Sequence, residues 1–261
     1  MLTIRVIPVL FLMNGLIVRS ETFSSFLAIG NPINQLERLS QWEADELIYI
    51  DITREGAHDL RRDDHKIKRR ENLLEIIQDI AQATFMPLTF GGRIQSLEDV
   101  DLRIAHGADK AVINSAAYRN PRIITEVAEK YGSQCMVLGI DVKKETEKHI
   151  LYIDQGRTRL EEDPVDWAKR GESLGAGEIF LNSIDRDGTS NGYDLEIIQK
   201  VAEAVTIPVI ACGGVGSWRD FYEAIQNTDA SAVAAGNIFH FTEHSYPSAK
   251  KYLRERNVNV R

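Results

Sequence analysis

This chain has little cysteine, little proline and no surplus of positive charge. Two cysteines in 261 residues, Cys135 and Cys212, cannot build the disulfide framework on which small secreted domains depend. Both fall in segments patterned as strands, so they read as buried free thiols, which suits a reducing cytosol and a cytoplasmic protein. A net charge of -8 gives no field to draw nucleic acid or an anionic membrane, and neither is expected as a partner. No apolar run reaches transmembrane length. The apolar start "VIPVLFLM" (6–13) is short, is interrupted by Pro8 and lacks a small-residue cleavage site, so it reads as a first strand and not as a signal peptide. No linker or domain boundary is visible, and residues 1–261 are expected to form one domain. Nothing in the pattern calls for a metal ion or an organic cofactor.

What the chain does have is an internal echo. "LTFGGRI" (88–94) reappears as "IACGGVG" (210–216), and "ADKAVINSAA" (108–117) reappears as "DASAVAAGNIF" (229–239), each roughly 121 residues later, which is the mark of a duplicated array. In this register Arg93 stands opposite Gly214. Apolar runs alternate with amphipathic stretches along the whole chain, the pattern of parallel βα units with strands covered on both faces. Strands are expected near 4–11, 46–51, 86–90, 109–113, 135–141, 177–182, 207–211 and 230–235. Helices are expected near 32–44, 71–84, 96–106, 121–131, 164–174, 193–205, 217–226 and 246–256. Asn31-Pro32 and Asn120-Pro121 each offer an N-cap followed by Pro at N1, and Ser96 with Asp99 approximates a capping box. The fold class is therefore α/β: a (βα)8 TIM barrel built from two duplicated half-barrels, with its chemistry at the C-terminal ends of the strands.

Candidate functional residues follow from that placement. Gly213 and Gly214 end the seventh strand, and Gly236-Asn237 opens a short helix after the eighth. Their counterparts are Gly91-Gly92 after the third strand and Asn114-Ser115 after the fourth. Backbone N–H groups there suit a phosphate on each side of the mouth, hence a ligand phosphorylated at both ends. The competing reading is tight turns that need glycine. Arg93 either adds charge to the first site or blocks it. Asp51, Asp141, Asp185 and Asp187 sit at or after strand ends, where a carboxylate can act as general acid or base. Asp141 is the leading catalytic candidate, with structural hydrogen bonding as its alternative, and Asp187-Gly188 is also an ordinary turn pair. Asn182 lies beside them. At the other end, Arg5, Glu46, Lys110 and Glu178 fall at strand starts, where they could pair across the barrel floor as a stabilising plug or as a gate. Two loops are long. Residues 143–162 are expected to form a hairpin excursion. Residues 53–71, dense in both charges, form either a solvated lid or a docking surface for an anionic substrate or a second protein.

These residues resemble the cyclase subunit of imidazole glycerol phosphate synthase, the HisF-type barrel of histidine biosynthesis. The likeness runs over nearly the whole chain, through "DELIYIDIT", "GADKAVINSAA", "GSQCMVLGIDVKK", "GAGEIFLNSIDRDGTSNGYD", "IACGGVG" and the ending "NVNVR". The resemblance implies a lyase-type cyclase. A HisH-type glutaminase would dock on the N-terminal face of the barrel. Ammonia would then pass an Arg, Glu, Lys, Glu gate and attack a bisphosphorylated aminoimidazole intermediate at the mouth. Arg5, Glu46, Lys110 and Glu178 match that gate. The glycine and Asn-Ser positions match the phosphate sites. One departure stands out. The family pattern C-L-D-x-x-x-G, which carries one of two catalytic carboxylates, reads "VLFLMNG" (9–15) here, so Phe11 takes the place of the acid while Asp141, its partner, is kept. Arg19 and Arg93 also replace the usual Lys and a phosphate-site Gly.

A phenyl ring carries no proton, and loss of one positioned acid or base costs about 10²–10⁴-fold. The expected function is therefore a barrel that supplies ammonia to a third enzyme, docked on the C-terminal face, for amidation of a sugar, as in the diverged paralogues found with lipopolysaccharide and other surface-polysaccharide genes. One alternative is a working cyclase subunit. Another is a non-catalytic activator of the glutaminase.

Overall fold

The computed structural model of the chain describes residues 3–53, 73–83, 86–241 and 243–261. Among these, β1 (Arg5–Met13), β2 (Leu16–Glu21) and β3 (Ser25–Gly30) precede α1 (Pro32–Gln41), β4 (Leu47–Asp51), α2 (Leu73–Gln82), β5 (Leu88–Gly91), α3 (Leu97–Ala105) and β6 (Lys110–Ile113). Then come α4 (Ser115–Arg119), α5 (Arg122–Tyr131), β7 (Met136–Glu145), β8 (Lys148–Ile153), β9 (Thr158–Arg159), α6 (Pro164–Ser173) and β10 (Glu178–Ser183). The chain ends with α7 (Leu195–Ala204), β11 (Val209–Cys212), α8 (Trp218–Asn227), β12 (Ala232–Ala235), α9 (Ile238–Phe241) and α10 (Ser245–Arg254). Eight parallel strands, in the order β1, β4, β5, β6, β7, β10, β11 and β12, close on themselves because β12 pairs with β1. Helices follow the strands, and the structure is the (βα)8 barrel that the alternation predicts.

Side chains alternate in direction along each strand, and that alternation sorts the core. On β1, Val6, Leu10 and Leu12 pack outward with the helices, while Ile7, Val9 and Phe11 pack inside the barrel with Ile48, Val112, Val137, Phe180, Ile210 and Ala232. Some helix starts follow the sequence. Asn31 caps α1 through a bond from the Ile33 N–H at 2.6 Å, and the Ser96–Asp99 capping box opens α3. Other local expectations are corrected. Asn120 closes α4 instead of capping α5, whose first residue is Arg122 and whose cap makes no side-chain bond. Cys135 lies in a short 3-10 turn (Ser133–Cys135) and is half-buried, because Gly132 turns the chain before the strand begins. Cys212 is buried in β11 as expected.

The duplication is visible atom by atom. Asp99 accepts from the N–H groups of Gln95 and Ser96 at 2.8 and 3.2 Å, and Asp220 accepts from Gly216 and Ser217 at 2.8 and 2.7 Å. Gly92 presses against the Asp51 backbone as Gly213 presses against that of Ser183. Each half also carries a hairpin on its first strand: β2–β3 on β1, and β8–β9 on β7. The second hairpin is the excursion expected in 143–162; the first is additional. Most of the charged 53–71 segment lies outside the described residues.

Candidate functional site

Arg5, Glu46, Lys110 and Glu178 begin or immediately precede β1, β4, β6 and β10, in step with the inward residues Ile7, Ile48, Val112 and Phe180. They therefore meet on the barrel axis. Arg5 Nη1 donates to Glu46 Oε2 at 2.6 Å and its Nη2 to Glu178 Oε1; Lys110 Nζ donates to Glu46 Oε1 and to Glu178 Oε2, the latter at 2.9 Å. The result is a closed ring of alternating charge, with both glutamates buried. Burial alone would lower the Arg5 and Lys110 pKa values, but the paired carboxylates outweigh it and hold both above their ordinary range. Burial opposes ionisation of Glu46 too, and Lys110 and Arg5 overcome it, so that pKa is lowered. Above the ring lies the apolar interior.

At the opposite end, Asp141 and Asn182 share the inward face of β7 and β10 and stand in register. Asn114 Nδ2 donates to Asp141 Oδ2 at 2.8 Å, and Asn182 Nδ2 lies 3.5 Å from Oδ1. Burial pushes the Asp141 carboxyl up to about 7, with the nearby charge of Asp187 adding to it and the bonds from Asn182 and Asn114 opposing it. Burial likewise raises Asp187 to about 6. A carboxyl that titrates near neutrality can both accept and return a proton.

Asp141 and Asn182 line a pocket of about 260 Å³ together with Asp51, Gly92, Arg93, Asn114, Ser115, Arg119, Asp154, Gln155, Arg157 and Phe180. The pocket therefore gathers the first-half candidates. Asp187, Gly188, Gly213, Gly214, Gly236 and Asn237 do not line it; Gly188 and Asn237 meet Ser20 of β2, Gly213 meets Ser183 of β10, Gly214 meets Gly192 in the loop before α7, and Gly236 meets Val9 of β1. Asp51 reaches the pocket from a different direction than Asp141. It follows Leu47 and Tyr49 on the outward face of β4, so it does not point at the barrel axis. One carboxylate oxygen accepts from Thr53 N at 2.9 Å and the other lies 3.8 Å from Arg93 Nη1. Arg93 holds a positive φ of 54°, a conformation that suits glycine better than a branched side chain. Its twin Gly214 has a φ of 102°, so the repeat places an arginine where the backbone asks for glycine.

Phe11 points inward, along the same face of β1 as Arg5, Ile7 and Val9. It stands in register with Ile50 as Asp141 stands in register with Asn182, so it is the first-half counterpart of Asp141. Phe23, from the turn between β2 and β3, covers it edge-on at 5.2 Å. Asp185 accepts from Lys144 N at 3.2 Å, on the outer side of β7. His149, Asp194 and Glu196 also come together, a cluster with no warning in the sequence spacing. Lys144 and Lys200 pair with Glu196, and Arg186 lies 3.6 Å from Asp194, so the cluster clamps the β8 hairpin to the loop before α7. Among the described residues, no helix is long and apolar enough to cross a membrane.

Comparison with known proteins agrees with this geometry. A family model described as "Histidine biosynthesis protein" matches residues 5–245. The chain is 42% identical to the imidazole glycerol phosphate synthase subunit HisF of Hydrogenobaculum sp. (strain Y04AAS1), with all of both chains covered. It is 41% identical to the subunit of the same name from Bacillus cereus (strain G9842), again with all of both chains covered. A barrel with a charged ring on its floor, glycine turns at its mouth and full-length likeness to these subunits belongs to the HisF family.

Proposed function

We propose that this barrel receives ammonia from a glutaminase docked beneath the Arg5–Glu46–Lys110–Glu178 ring and releases it at the mouth to a third enzyme that amidates a sugar, with its own cyclase activity weak. The observation that carries this reading is Phe11. The family reaction is expected to use one carboxylate from each half of the mouth, and here the two counterpart positions hold Phe11 and Asp141. With Asp141 alone, one proton transfer keeps its partner and the other goes to water or to a less well placed group, at a cost of about 10²–10⁴ in rate.

Passage of ammonia needs none of that chemistry. A neutral molecule crosses the apolar interior at small cost, whereas an ammonium ion would have to leave its water behind. The two cations and two carboxylates of the ring are engaged with one another, so the entrance offers no surplus negative charge to draw an ammonium ion in. Glycine turns and arginines on the pocket wall support a phosphorylated small molecule as the ligand of the mouth. The part of the 53–71 segment considered as a docking surface for the third enzyme lies outside the described residues.

A second reading, a working cyclase subunit, is favoured by the full-length identity to HisF subunits and by Asp141 and Asp187, which titrate at about 7 and about 6. Cyclase turnover with added ammonium salt separates the two. The unmodified chain is expected to turn over about 10²–10⁴-fold more slowly than Phe11→Asp. High turnover in the unmodified chain, equal to that of Phe11→Asp, would favour the second reading.

A further inference from the structure

We propose that Tyr246 and Lys250 of α10 are positioning residues for the floor ring. Together with Asp45 they fill the lower seam between β1 and β4 and set the gap across which Arg5 and Glu46 face each other. This rests on the reading of the ring as an ammonia gate and names what holds that gate in shape.

This seam is built differently from its neighbours. β1 is bonded to β12 from Arg5 onward, but its ladder with β4 begins only at Val9 and Ile48. Carried down in the same register, Val6 lies beside Asp45, and there side chains take over from the ladder. Val6 N donates to Asp45 Oδ2 at 3.1 Å. The Tyr246 hydroxyl accepts from Asp45 N at 2.8 Å and donates to the Val6 carbonyl at 2.9 Å. Two hydrogen bonds thus stand in series where a closed ladder would put one. Val6 follows Arg5 and Asp45 precedes Glu46, so this spacer sits directly behind two members of the ring. The β5–β6 seam is an internal control. Asp109 precedes Lys110 as Asp45 precedes Glu46, and it accepts from Leu88 N at 2.8 Å. Its own N–H, however, donates straight to the Leu88 carbonyl at 2.8 Å, with no hydroxyl between. The inserted group distinguishes the Arg5–Glu46 seam.

Lys250 locks the spacer. It follows Tyr246 by one helical turn on the same face of α10. Its Nζ donates to Asp45 Oδ1 at 2.8 Å and stands 5.5 Å from the centre of the Tyr246 ring. All three side chains are buried. A buried ion pair adds little stability over apolar residues of the same volume, and α10 already has apolar anchors in Ala249 and Leu253. What the polar set adds is geometry. Lys250 occupies Asp45 Oδ1, which leaves Oδ2 to Val6 N, and the tyrosine hydroxyl bridges the two strands. The floor needs that precision, because charge-assisted bonds such as Arg5 to Glu46 at 2.6 Å weaken steeply when donor and acceptor misalign.

Proton–nitrogen correlation spectra of the lysine ammonium groups in the full chain test this. Held between two buried carboxylates, the Lys110 ammonium should exchange slowly with water and give a signal that Lys110→Met removes. Absence of that signal in the parent would mean an open ring and would overturn the proposal. Tyr246→Phe deletes the bridging oxygen and keeps the phenyl ring packed on Phe239. It is expected to speed Lys110 exchange about tenfold, the worth of about one hydrogen bond, and Lys250→Met to do the same. Leu253→Ala loosens α10 without touching the seam; it should lower the thermal midpoint while Lys110 exchange keeps its rate. Unchanged exchange in Tyr246→Phe or Lys250→Met, or equal acceleration in Leu253→Ala, overturns the proposal, since α10 would then only fasten the barrel. Ammonia delivery is measured separately with the glutaminase bound. A ring that loosens as expected in a barrel that never delivers ammonia would remove the proposed function and leave the positioning role standing.

Discussion

The two halves of the mouth descend from one pattern and have ended up as different surfaces. At the top of the leading strands, Phe11 and Ile50 in the first half stand where Asp141 and Asn182 stand in the second. One strand position further on, Asp51 corresponds to Ser183 and Arg93 to Gly214, as the shared contacts of Gly92 and Gly213 show. Titrating chemistry at the axis comes from the second half, while the open, arginine-rimmed pocket belongs mainly to the first. The difference shows that duplication fixes the backbone frame and leaves the side-chain layer free. Gly92 recurs as Gly213, where a Cβ would strike a neighbouring carbonyl, but Gly214 is replaced by Arg93 and the residues facing the cavity do not recur.

The floor offers the sharpest contrast, because there the halves act as a unit: Arg5, Glu46 and Lys110 come from the first and Glu178 from the second. Lys110→Met leaves two buried carboxylates to share one arginine, and an unpaired buried charge costs about 3–5 kcal/mol. Urea unfolding should show a loss of that order at neutral pH. The loss should shrink as acid protonates the glutamates, since Glu46 is held ionised by the charges of Lys110 and Arg5. A loss under about 1 kcal/mol would mean that the ring is solvated like a surface network and does not bind the halves together.

Much of this frame was legible in the sequence. Strand and helix order follow from period and glycine punctuation, and the floor residues follow from their position at strand starts. The fold-back of β2 onto β1 was not anticipated, although Asn14-Gly15, the two residues between those strands, announces it: both have positive φ, as a two-residue hairpin turn requires. The apolar run through β1 hid that signal, because one long strand and a strand folding back look alike in hydropathy. Asp51 was read as facing the mouth because it ends a strand, and it does line the pocket there, although counting from Leu47 in steps of two puts it on the outward face of β4 and away from the axis.

Asp141 and Phe11 can be compared through pH. An aspartate whose folded pKa of about 7 lies above an unfolded value of about 3.9 binds more protons folded than unfolded between those limits. Its burial therefore costs nothing below pH ~4, and stability falls as pH rises toward 7. Asp141→Asn keeps an acceptor for Asn114 and removes the charge. It should match the parent near pH 4 and exceed it by on the order of 4 kcal/mol at pH 8, while cyclase turnover disappears. Thermal midpoints taken across that range check it. A constant offset at every pH would mean that Asp141 is ionised in the folded chain throughout and that the polar half of the axis is as well solvated as the rim.

The smallest expected effect on stability comes from Arg93→Gly, and it tests whether this arginine is a rim charge or a strut. Three contributions oppose one another. Releasing a non-glycine residue from positive φ returns about 1–2 kcal/mol. The flexible glycine costs about 0.5–1 kcal/mol in the unfolded chain. The 3.8 Å contact with Asp51 comes from a side chain that is 37% exposed, so solvent screening holds its worth to about 0–1 kcal/mol. The net should stay within about 1 kcal/mol of zero in urea titration, while phosphate affinity falls. A loss above about 2 kcal/mol would show instead that Arg93 pins the buried Asp51 carboxylate against the top of β4. The first half would then have traded its glycine for a brace, and the open pocket would be a consequence of that brace and not a site shaped for an anion.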